Sequence, residues 1–314
     1  MRVVHPKDLL AFLKTGSGHF GPMQGLMDAA PNYSARDGTL YLSEEGRPKL
    51  KWISKKLNLF QANQIAHIRD SQVALEDGTR INSNEALYDI RKSRIIFAGN
   101  VESTFKTGAV IQSEIAYLDT KPSLHLWIPL TEKVQGRKTN LASPVLFESQ
   151  GLDYSDSDHV LQLLSEVKVK VSGTSPLQIA SDRCAFLHDQ DLLRFSMDDS
   201  KIIEKQFIEA TDPKLLLRSR KLEVKLQTGR QIEEIIALQD VFFEDTTHPD
   251  APTQGTGGKG VYRVKDQEIT LTDFPQLYQD RDTVTGDLIT YNRKTERVEV
   301  TQSNAIYNAK PTNR

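Results

Sequence analysis

The chain of 314 residues lacks several features that define common protein classes. Cys184 is its single cysteine, so the sequence excludes an internal disulfide scaffold and a multi-cysteine zinc site. Lysine and arginine total 40 against 42 aspartate and glutamate residues, which gives a net charge of -2. Without a net basic field, nucleic acid is not an expected partner. Apolar residues make up only 38%, which favours an elongated or half-hydrated structure over a compact enzyme.

Long hydrophobic runs are also missing. No window approaches the ~18 consecutive apolar residues of a membrane span. The longest apolar run near the N-terminus, Leu9–Leu13, is too short for the hydrophobic region of a signal peptide, and no small-residue cleavage site follows it. The sequence therefore predicts neither a membrane span nor an export signal within these residues.

Helical periodicity is scarce as well. Lys7–Lys14 could form two helical turns within an N-terminal segment, 1–36, that is otherwise expected to be irregular. Beyond Tyr33, short runs of alternating apolar and polar residues are separated by turns such as Asp77-Gly78 and Thr107-Gly108. This pattern predicts strands over most of the chain.

The strands repeat with a common signature, a small residue five positions before an aromatic one. Ser113 and Tyr117 form the same unit one residue shorter, and Ser219 with Val224 lacks the aromatic ring. The full pairs are Ser83 with Tyr88, Ser149 with Tyr154, Ser181 with Phe186, Gly257 with Tyr262, and Gly286 with Tyr291. A polar turn follows, and the apolar run resumes at Ile95, Leu124, Val160, Leu193, Ile269 and Val298. Each unit is therefore predicted to be a β-hairpin.

The repeats predict a stacked β-architecture in two parts. In Val167–Val171, one face of the strand is aliphatic and the other is charged, as in antiparallel sheets with one solvated side. Two such sheets would close over a shared apolar interior. Polar, Gly- and Pro-containing sequence near 172–176 predicts a boundary between units 37–172 and 173–308, followed by a tail, 309–314. The glycine-rich stretch Gln254–Gly260 is predicted to be a long loop in the second unit.

Motifs for catalysis are few. Lys259 is followed by Gly260 and another strand, so the glycine-rich stretch does not fit a phosphate-binding loop. The seven histidines are dispersed, and the acidic cluster Asp153–His159 falls where the repeat requires a turn. No nucleophile motif surrounds Cys184. We therefore expect no catalytic residue, no metal site and no cofactor.

The aliphatic stripe is the remaining functional candidate, and it leaves alternatives open. Alternating Val, Ile and Leu usually form a closed core, which would make the protein a β-repeat scaffold. If the two sheets splay, the same residues line an apolar trough suited to acyl chains. A β-solenoid enzyme acting on polysaccharide is a third possibility, which requires carboxylates converging on one exposed face. Alternation alone does not separate these outcomes.

Several motifs resemble a known family when they are taken in order. The first half resembles LptC, a periplasmic component of the lipopolysaccharide transport bridge, and the second half resembles the related LptA/OstA unit. The matching segments are Glu44–Trp52, Val73–Gly78, Ile81–Tyr88, Ile95–Val101, Gly108–Tyr117, Ser149–Tyr154 and Leu161–Val167 in the first half, and Gly260–Tyr262, Ile269–Thr272, Pro275–Leu277, Val284–Tyr291 and Val298–Val300 in the second. Together the matches cover about residues 38–307.

The resemblance implies an all-β protein of two stacked antiparallel, open, V-shaped β-jelly-roll units. It implies a non-catalytic periplasmic conduit whose groove carries the acyl chains of lipopolysaccharide. Its implied partners are the other jelly-roll components of the bridge, which dock edge to edge, and an inner-membrane ABC transporter complex. Association with the inner membrane is left open because no anchor is visible. The aliphatic face supplies the expected groove residues, which are Ile95, Phe97, Val101, Leu124, Leu126, Val167, Val169, Ile269, Leu271, Val298 and Val300.

Overall fold

The protein is all-β, as predicted. The computed structural model describes residues 30–44, 47–121, 123–138, 144–155, 160–172, 176–187, 190–198, 206–226, 231–279, 282–302 and 304–306. These residues form 23 strands and one 3-10 turn, Gln61–Asn63, and no α-helix occurs among them. The helical turns predicted at 7–14 lie outside the described residues. The N-terminal segment predicted to be irregular extends too far, because the first strand begins at Tyr33.

The strands follow the chain at short intervals. The first nine are β1 (Tyr33–Glu44), β2 (Arg47–Phe60), β3 (Ile65–Leu75), β4 (Arg80–Asp89), β5 (Arg94–Thr104), β6 (Ala109–Asp119), β7 (His125–Lys138), β8 (Val145–Ser155) and β9 (Val160–Val171). The next seven are β10 (Leu177–Ser181), β11 (Arg183–Leu187), β12 (Leu192–Ser196), β13 (Ile208–Thr211), β14 (Leu215–Ser219), β15 (Lys221–Leu226) and β16 (Ile232–Asp245). The last seven are β17 (Thr253–Arg263), β18 (Glu268–Thr272), β19 (Gln276–Gln279), β20 (Asp282–Thr285), β21 (Leu288–Asn292), β22 (Arg297–Thr301) and β23 (Asn304–Ile306).

Four of the predicted hairpins are formed as expected among the described residues. The aromatic residue that ends one strand pairs with the aliphatic residue that opens the next, as for Tyr88 with Ile95 in β4 and β5. Tyr291 pairs with Val298 in the same way in β21 and β22. Every strand pairing among the described residues is antiparallel. The β-solenoid alternative, which requires parallel coils, is therefore wrong.

The chain divides into two compact units. Unit 1 comprises the described residues of Met1–Gly136 and Asp153–Asp158, and unit 2 comprises those of Arg137–Leu152 and His159–Arg314. In unit 1, strands β1 to β6 form consecutive antiparallel pairs. The sequence-based ranges of 37–172 and 173–308 stay a prediction.

The small residue of each repeat marks a bend. In five repeats the serine Oγ donates a hydrogen bond to the carbonyl oxygen two residues further on, at 2.9–3.0 Å. These serines are Ser83, Ser113, Ser149, Ser181 and Ser219. At the same level of the sheet, the antiparallel neighbours of these strands contain residues with positive φ, such as Asp70, Asn100 and Asp240. A short side chain that bonds its own backbone stabilises such a kink. Each sheet is therefore divided into two halves along a line of bends.

The two halves of each unit pack face to face. In unit 1, the Trp52 ring lies 6.2 Å from the Tyr88 ring and 6.4 Å from the Phe97 ring, across the line of bends. The Trp52 indole also donates a hydrogen bond of 2.7 Å to Ser71. In unit 2, Phe243 stacks on Tyr291 with ring centroids 6.0 Å apart. These contacts fill the interior with the protein's own side chains.

Two half-sheets can be defined in unit 2. Half-sheet A contains β11, β12, β15, β18, β21 and β22 with Val160–Leu163, Ile232–Leu238 and Lys259–Arg263 of the long strands. Half-sheet B contains β10, β13, β14, β19, β20 and β23 with Val167–Val171, Val241–Asp245 and Thr253–Gly257. The strands β9, β16 and β17 continue from one half into the other, so the half-sheets are covalently joined at the bends.

One face of unit 1 departs from the predicted alternation. The sequence places charged residues opposite the aliphatic face, yet a second apolar cluster lies there. It consists of Leu87, Ile96, Ala98, Ile115 and Tyr117, all buried, with Ile65 and Trp127 packed against it. Trp127 stacks on Tyr117 with ring centroids 4.1 Å apart. The middle of this sheet is therefore apolar on both faces.

The glycine-rich stretch is a strand and not the predicted loop. It forms most of β17, which pairs with β16 on both sides of a register shift at Gly258. A Cβ on Gly257 would lie 2.8 Å from the carbonyl oxygen of Thr272, and one on Gly258 would lie 2.7 Å from Cβ of Asp273. The glycines are needed because β17 passes close to neighbouring chain at the bend. The sequence predicts a loop here because glycine usually marks turns. The close approach that requires these glycines is a tertiary contact, which the local sequence does not show.

Candidate functional site between the half-sheets

Most of the predicted groove residues are buried in the interior. Eight of the eleven are at most 3% exposed, namely Ile95, Phe97, Val101, Leu126, Val167, Val169, Ile269 and Leu271. Leu124, Val298 and Val300 are half-buried. The structure therefore places the aliphatic stripe inside each unit, against the opposing half-sheet. Their role in binding acyl chains stays a prediction.

A pocket lies where the interior of unit 2 meets the surface, at the ends of the half-sheets farthest from the bends. We call it the mouth pocket, and its volume is about 430 Å³. Half-sheet A and its turns contribute Ile232, Ile235, Tyr262, Val264, Gln267, Arg293, Lys294 and Glu296. Half-sheet B and its turns contribute Pro176, Leu177, Asp212, Pro213, Lys214 and Thr247. The lining combines hydrocarbon surface with three cationic side chains.

Arg293 bridges the two half-sheets at this pocket. It follows β21 in half-sheet A, and its Nε donates a hydrogen bond of 3.0 Å to Oδ2 of Asp245, the last residue of β16 in half-sheet B. Its Nη1 donates to Oδ2 of Asp212 and to the hydroxyl of Tyr262, each at 2.9 Å. The side chains of Arg293 and Asp245 are only 7% and 1% exposed. A buried ion pair thus joins the ends of the two half-sheets.

The surrounding groups keep both partners of this pair charged. Burial alone would lower the pKa of Arg293, but hydrogen bonds to Asp245 and Asp212 outweigh it and raise that pKa. Burial would likewise raise the pKa of Asp245, yet hydrogen bonds from Arg293 and Thr247 leave that pKa below its usual value. Burial raises the pKa of Tyr262, so its hydroxyl stays neutral. The cluster is therefore suited to hold two parts of the protein together and not to transfer protons.

Two further contacts cross the same pocket. His248, which follows β16, lies with Nε2 at 2.6 Å from Oε1 of Glu296 in the turn after β21, and both side chains are exposed. The Tyr291 hydroxyl donates a hydrogen bond of 3.3 Å to Asp245. The mouth is therefore closed by an exposed rim pair outside and a buried polar cluster within.

The sequence patterns do not indicate a role for Arg293, Asp245 or Asp212. The signature places a polar turn after each aromatic residue, and Arg293 lies two positions beyond Tyr291, where a solvated side chain is expected. Asp212 precedes Pro213, which also indicates an ordinary turn. The chain separation of 48 residues between Arg293 and Asp245 carries no local signal. The only hint of a special role in the sequence is that Arg293 places a charge in an otherwise regular repeat.

The described residues give no support for metal or thiol chemistry. No group of three or more metal-ligating side chains occurs among them. Cys184 is buried in β11, and burial raises its thiol pKa, which disfavours the reactive thiolate. Within the same residues, no helix has the length and apolar character to cross a membrane.

Comparison with known proteins identifies part of unit 2. Residues 198–297 match the family described as LptA/(LptD N-terminal domain) LPS transport protein. The chain therefore carries an LptA/LptD-type domain. The resemblance of the second half to LptA/OstA is confirmed over these residues, which run from before β13 to the start of β22 and include Asp212, Asp245 and Arg293. The resemblance of the first half to LptC stays a prediction.

One solved structure is also similar to part of the chain. A solved structure of LptH from Pseudomonas aeruginosa, described as the LptA-homologous periplasmic component of the lipopolysaccharide transport device, is similar to the chain at 16% identity. The alignment covers 43% of this chain and 96% of LptH, with a TM-score of 0.38. A search of curated proteins finds no match.

Proposed function

We propose that the protein is a non-catalytic component of lipopolysaccharide transport that holds acyl chains between the half-sheets of each unit. The observation that carries this proposal is the LptA/LptD-type domain, whose family is described as a transport protein. Eight aliphatic or aromatic side chains predicted to line the groove are buried inside the units, which supports the proposal. Hydrocarbon surface of this kind favours acyl chains by about 25 cal/mol per Å² buried.

The proposal requires the half-sheets to separate. The interior is packed with the protein's own side chains, so an acyl chain must displace contacts such as that between Phe243 and Tyr291. The open, V-shaped jelly-roll form implied by the resemblance is the state expected when lipid is bound. Covalent continuity through β9, β16 and β17 lets the half-sheets part at the mouth while they stay joined at the bends.

Strand edges offer a means of assembly. Among the described pairings, β1 pairs only with β2 and β22 pairs only with β21. An edge strand with free backbone groups can add a strand from another molecule. We therefore propose that other jelly-roll components of the transport bridge dock on these edges. From the resemblance to LptC and LptA/OstA we also propose a periplasmic location. Association with the inner membrane and its ABC transporter is a separate proposal that needs its own test.

Site-specific photo-crosslinking tests lipid binding. A photoreactive amino acid at Leu271, which faces the interior, should capture lipopolysaccharide in cells, and so should one at Phe97 in unit 1. The matched control is Thr270, which is adjacent to Leu271 on the opposite face of β18. Equal capture at Leu271 and Thr270, or none at either interior site, would contradict the proposal.

The interior side chains are buried against each other, which favours one other candidate function, that of a scaffold with a permanently closed core. In that case the folded protein would show no lipid capture from any interior position. Lipid extraction from protein purified without detergent separates the two functions, because a scaffold would carry no lipopolysaccharide.

A further inference from the structure

We propose that Arg293 is a latch that keeps the mouth of unit 2 closed, and that an anionic amphiphile enters the interior there when the latch is released. This inference rests on the proposed function, because it assigns the route by which a lipid reaches the interior. It concerns the ends of the half-sheets farthest from the bends, where separation is least restricted by chain connectivity.

The position of the ion pair supports a latch. Arg293 and Asp245 stand at the free ends of opposite half-sheets, whereas the other ends are held by the continuous strands β9, β16 and β17. Interior packing is otherwise mostly aliphatic and aromatic, and such contacts can be exchanged for contacts with an acyl chain of similar polarity. The polar cluster cannot be replaced in this way, since removing one charge leaves the other buried without compensation. Opening the mouth therefore depends on this cluster.

The chemistry of the mouth pocket indicates what can release it. Leu177, Ile232 and Ile235 offer hydrocarbon surface for an acyl chain, and Lys214 and Lys294 are exposed cations beside Arg293. A phosphate or carboxylate group that approaches the lysines can take the place of Asp212, the more exposed of the two acidic partners, at 19%. Guanidinium groups bind phosphate in the same bidentate geometry as carboxylate. An amphiphile with a hydrocarbon chain and an anionic group therefore fits both parts of the pocket.

The rim pair is expected to contribute less. His248 and Glu296 are 59% and 53% exposed, and such pairs are screened by water and salt. Their value lies in their position, since they face each other across the mouth. They therefore provide attachment points for measuring and for restricting its opening.

Spin-label distances test the latch without any lipid. Labels on His248→Cys and Glu296→Cys report the width of the mouth, while buried Cys184 is expected to stay unlabelled. Asp212→Asn removes one charged partner and leaves Asp245 in place, so the protein should fold. We expect a broader distance distribution with a longer mean for Asp212→Asn and for Arg293→Lys than for the labelled parent. Distributions that do not change in either variant would overturn the latch.

Reversible crosslinking tests the route. A short, reducible thiol crosslinker between the same two cysteines should lower the capture of purified lipopolysaccharide by a photoreactive residue at Leu271 at least tenfold, and reduction should restore capture. The control crosslink joins Thr270→Cys to Thr290→Cys, which pair within half-sheet A and do not span the mouth. Unchanged capture in the mouth-crosslinked protein would refute this route while leaving the proposed function intact. Absence of capture without any crosslink would instead refute the proposed function, and the spin-label result would still decide the latch.

Discussion

Replacing Gly255 by alanine should destabilise unit 2, because the interior has no space for another methyl group. A Cβ on Gly255 would overlap Cε1 of Phe243 and would lie 2.8 Å from Cδ1 of Leu271. Favourable carbon contacts require about 3.5–4.0 Å, so the neighbours would have to move by about 1 Å. Phe243 is fully buried and stacks on Tyr291. The ring cannot withdraw without repacking the opposite half-sheet.

The expected cost of Gly255→Ala is that of overpacking a well-packed core, about 1–3 kcal/mol. For a small domain with an m-value of about 2 kcal/mol/M, this corresponds to a fall of about 0.5–1.5 M in the urea midpoint. The measurement can be confined to unit 2, because Cys184 is the only thiol in the chain and is 2% exposed. Alkylation of Cys184 at increasing urea concentration therefore reports the unfolding of the unit that contains Gly255.

Two variants complete the test. Gly38→Ala is the control, since the nearest atoms to its Cβ are 3.9 Å away and its substitution should cost nothing or stabilise slightly. Trp52 and Trp127, both in unit 1, report that control by fluorescence. Adding Phe243→Leu to Gly255→Ala should recover part of the lost stability, because the smaller side chain leaves room for the methyl group. An unchanged midpoint in Gly255→Ala, or no recovery in the double variant, would refute the packing argument.

Three further predictions concern single side chains. Ser149→Ala removes the buried hydrogen bond to the carbonyl of Gly151, 3.0 Å long, and should lower the free energy of unfolding by about 0.5–1.5 kcal/mol in urea titrations; Ser149→Thr, which keeps the hydroxyl, should lose less. The pKa of Asp245 is lowered in the folded state, so its contribution to stability is present above its unfolded pKa of about 3.9 and is lost as the pH falls through the folded pKa. Melting temperatures measured between pH 6 and 2 should therefore fall less for Asp245→Asn than for the parent. Parallel curves for the two proteins would contradict the assignment. Burial raises the pKa of Tyr117 to about 12, so ultraviolet titration of the folded protein should show an ionisation near that pH that is absent from Tyr117→Phe, and its stabilising contribution should decline as the pH rises above about 10.

Local patterns were sufficient to predict the hairpins. The interval from Ser83 to Tyr88 and on to Ile95 is a short-range signal, since a strand, a turn and a returning strand are all encoded within fifteen residues. The bends at the serines follow from the same signal, because the hydroxyl bonds a carbonyl only two residues away. The hairpin prediction assigns no role to the serine, whereas the structure shows that it marks a bend within the strand.

Long-range contacts account for the errors. The stretch around Gly255 was predicted to be a loop because glycine usually marks turns, but here it permits close approach to Phe243, which is near in space and belongs to another strand. Arg293 was overlooked because its partners are 48 and 81 residues away. The apolar outer cluster around Ile96 was not foreseen because strand alternation assigns that face to solvent.

The sequence by itself therefore determined the hairpins, the antiparallel repeat and the aliphatic face that turns inward, because each depends on residues a few positions apart. Only the tertiary structure decided how that apolar face is covered. Two half-sheets that share an aliphatic lining can stand open or close on each other, and the choice depends on contacts between distant strands. In unit 2 those contacts include a buried ion pair, in which Arg293 outweighs the cost of its own burial by binding two carboxylates from the opposite half-sheet.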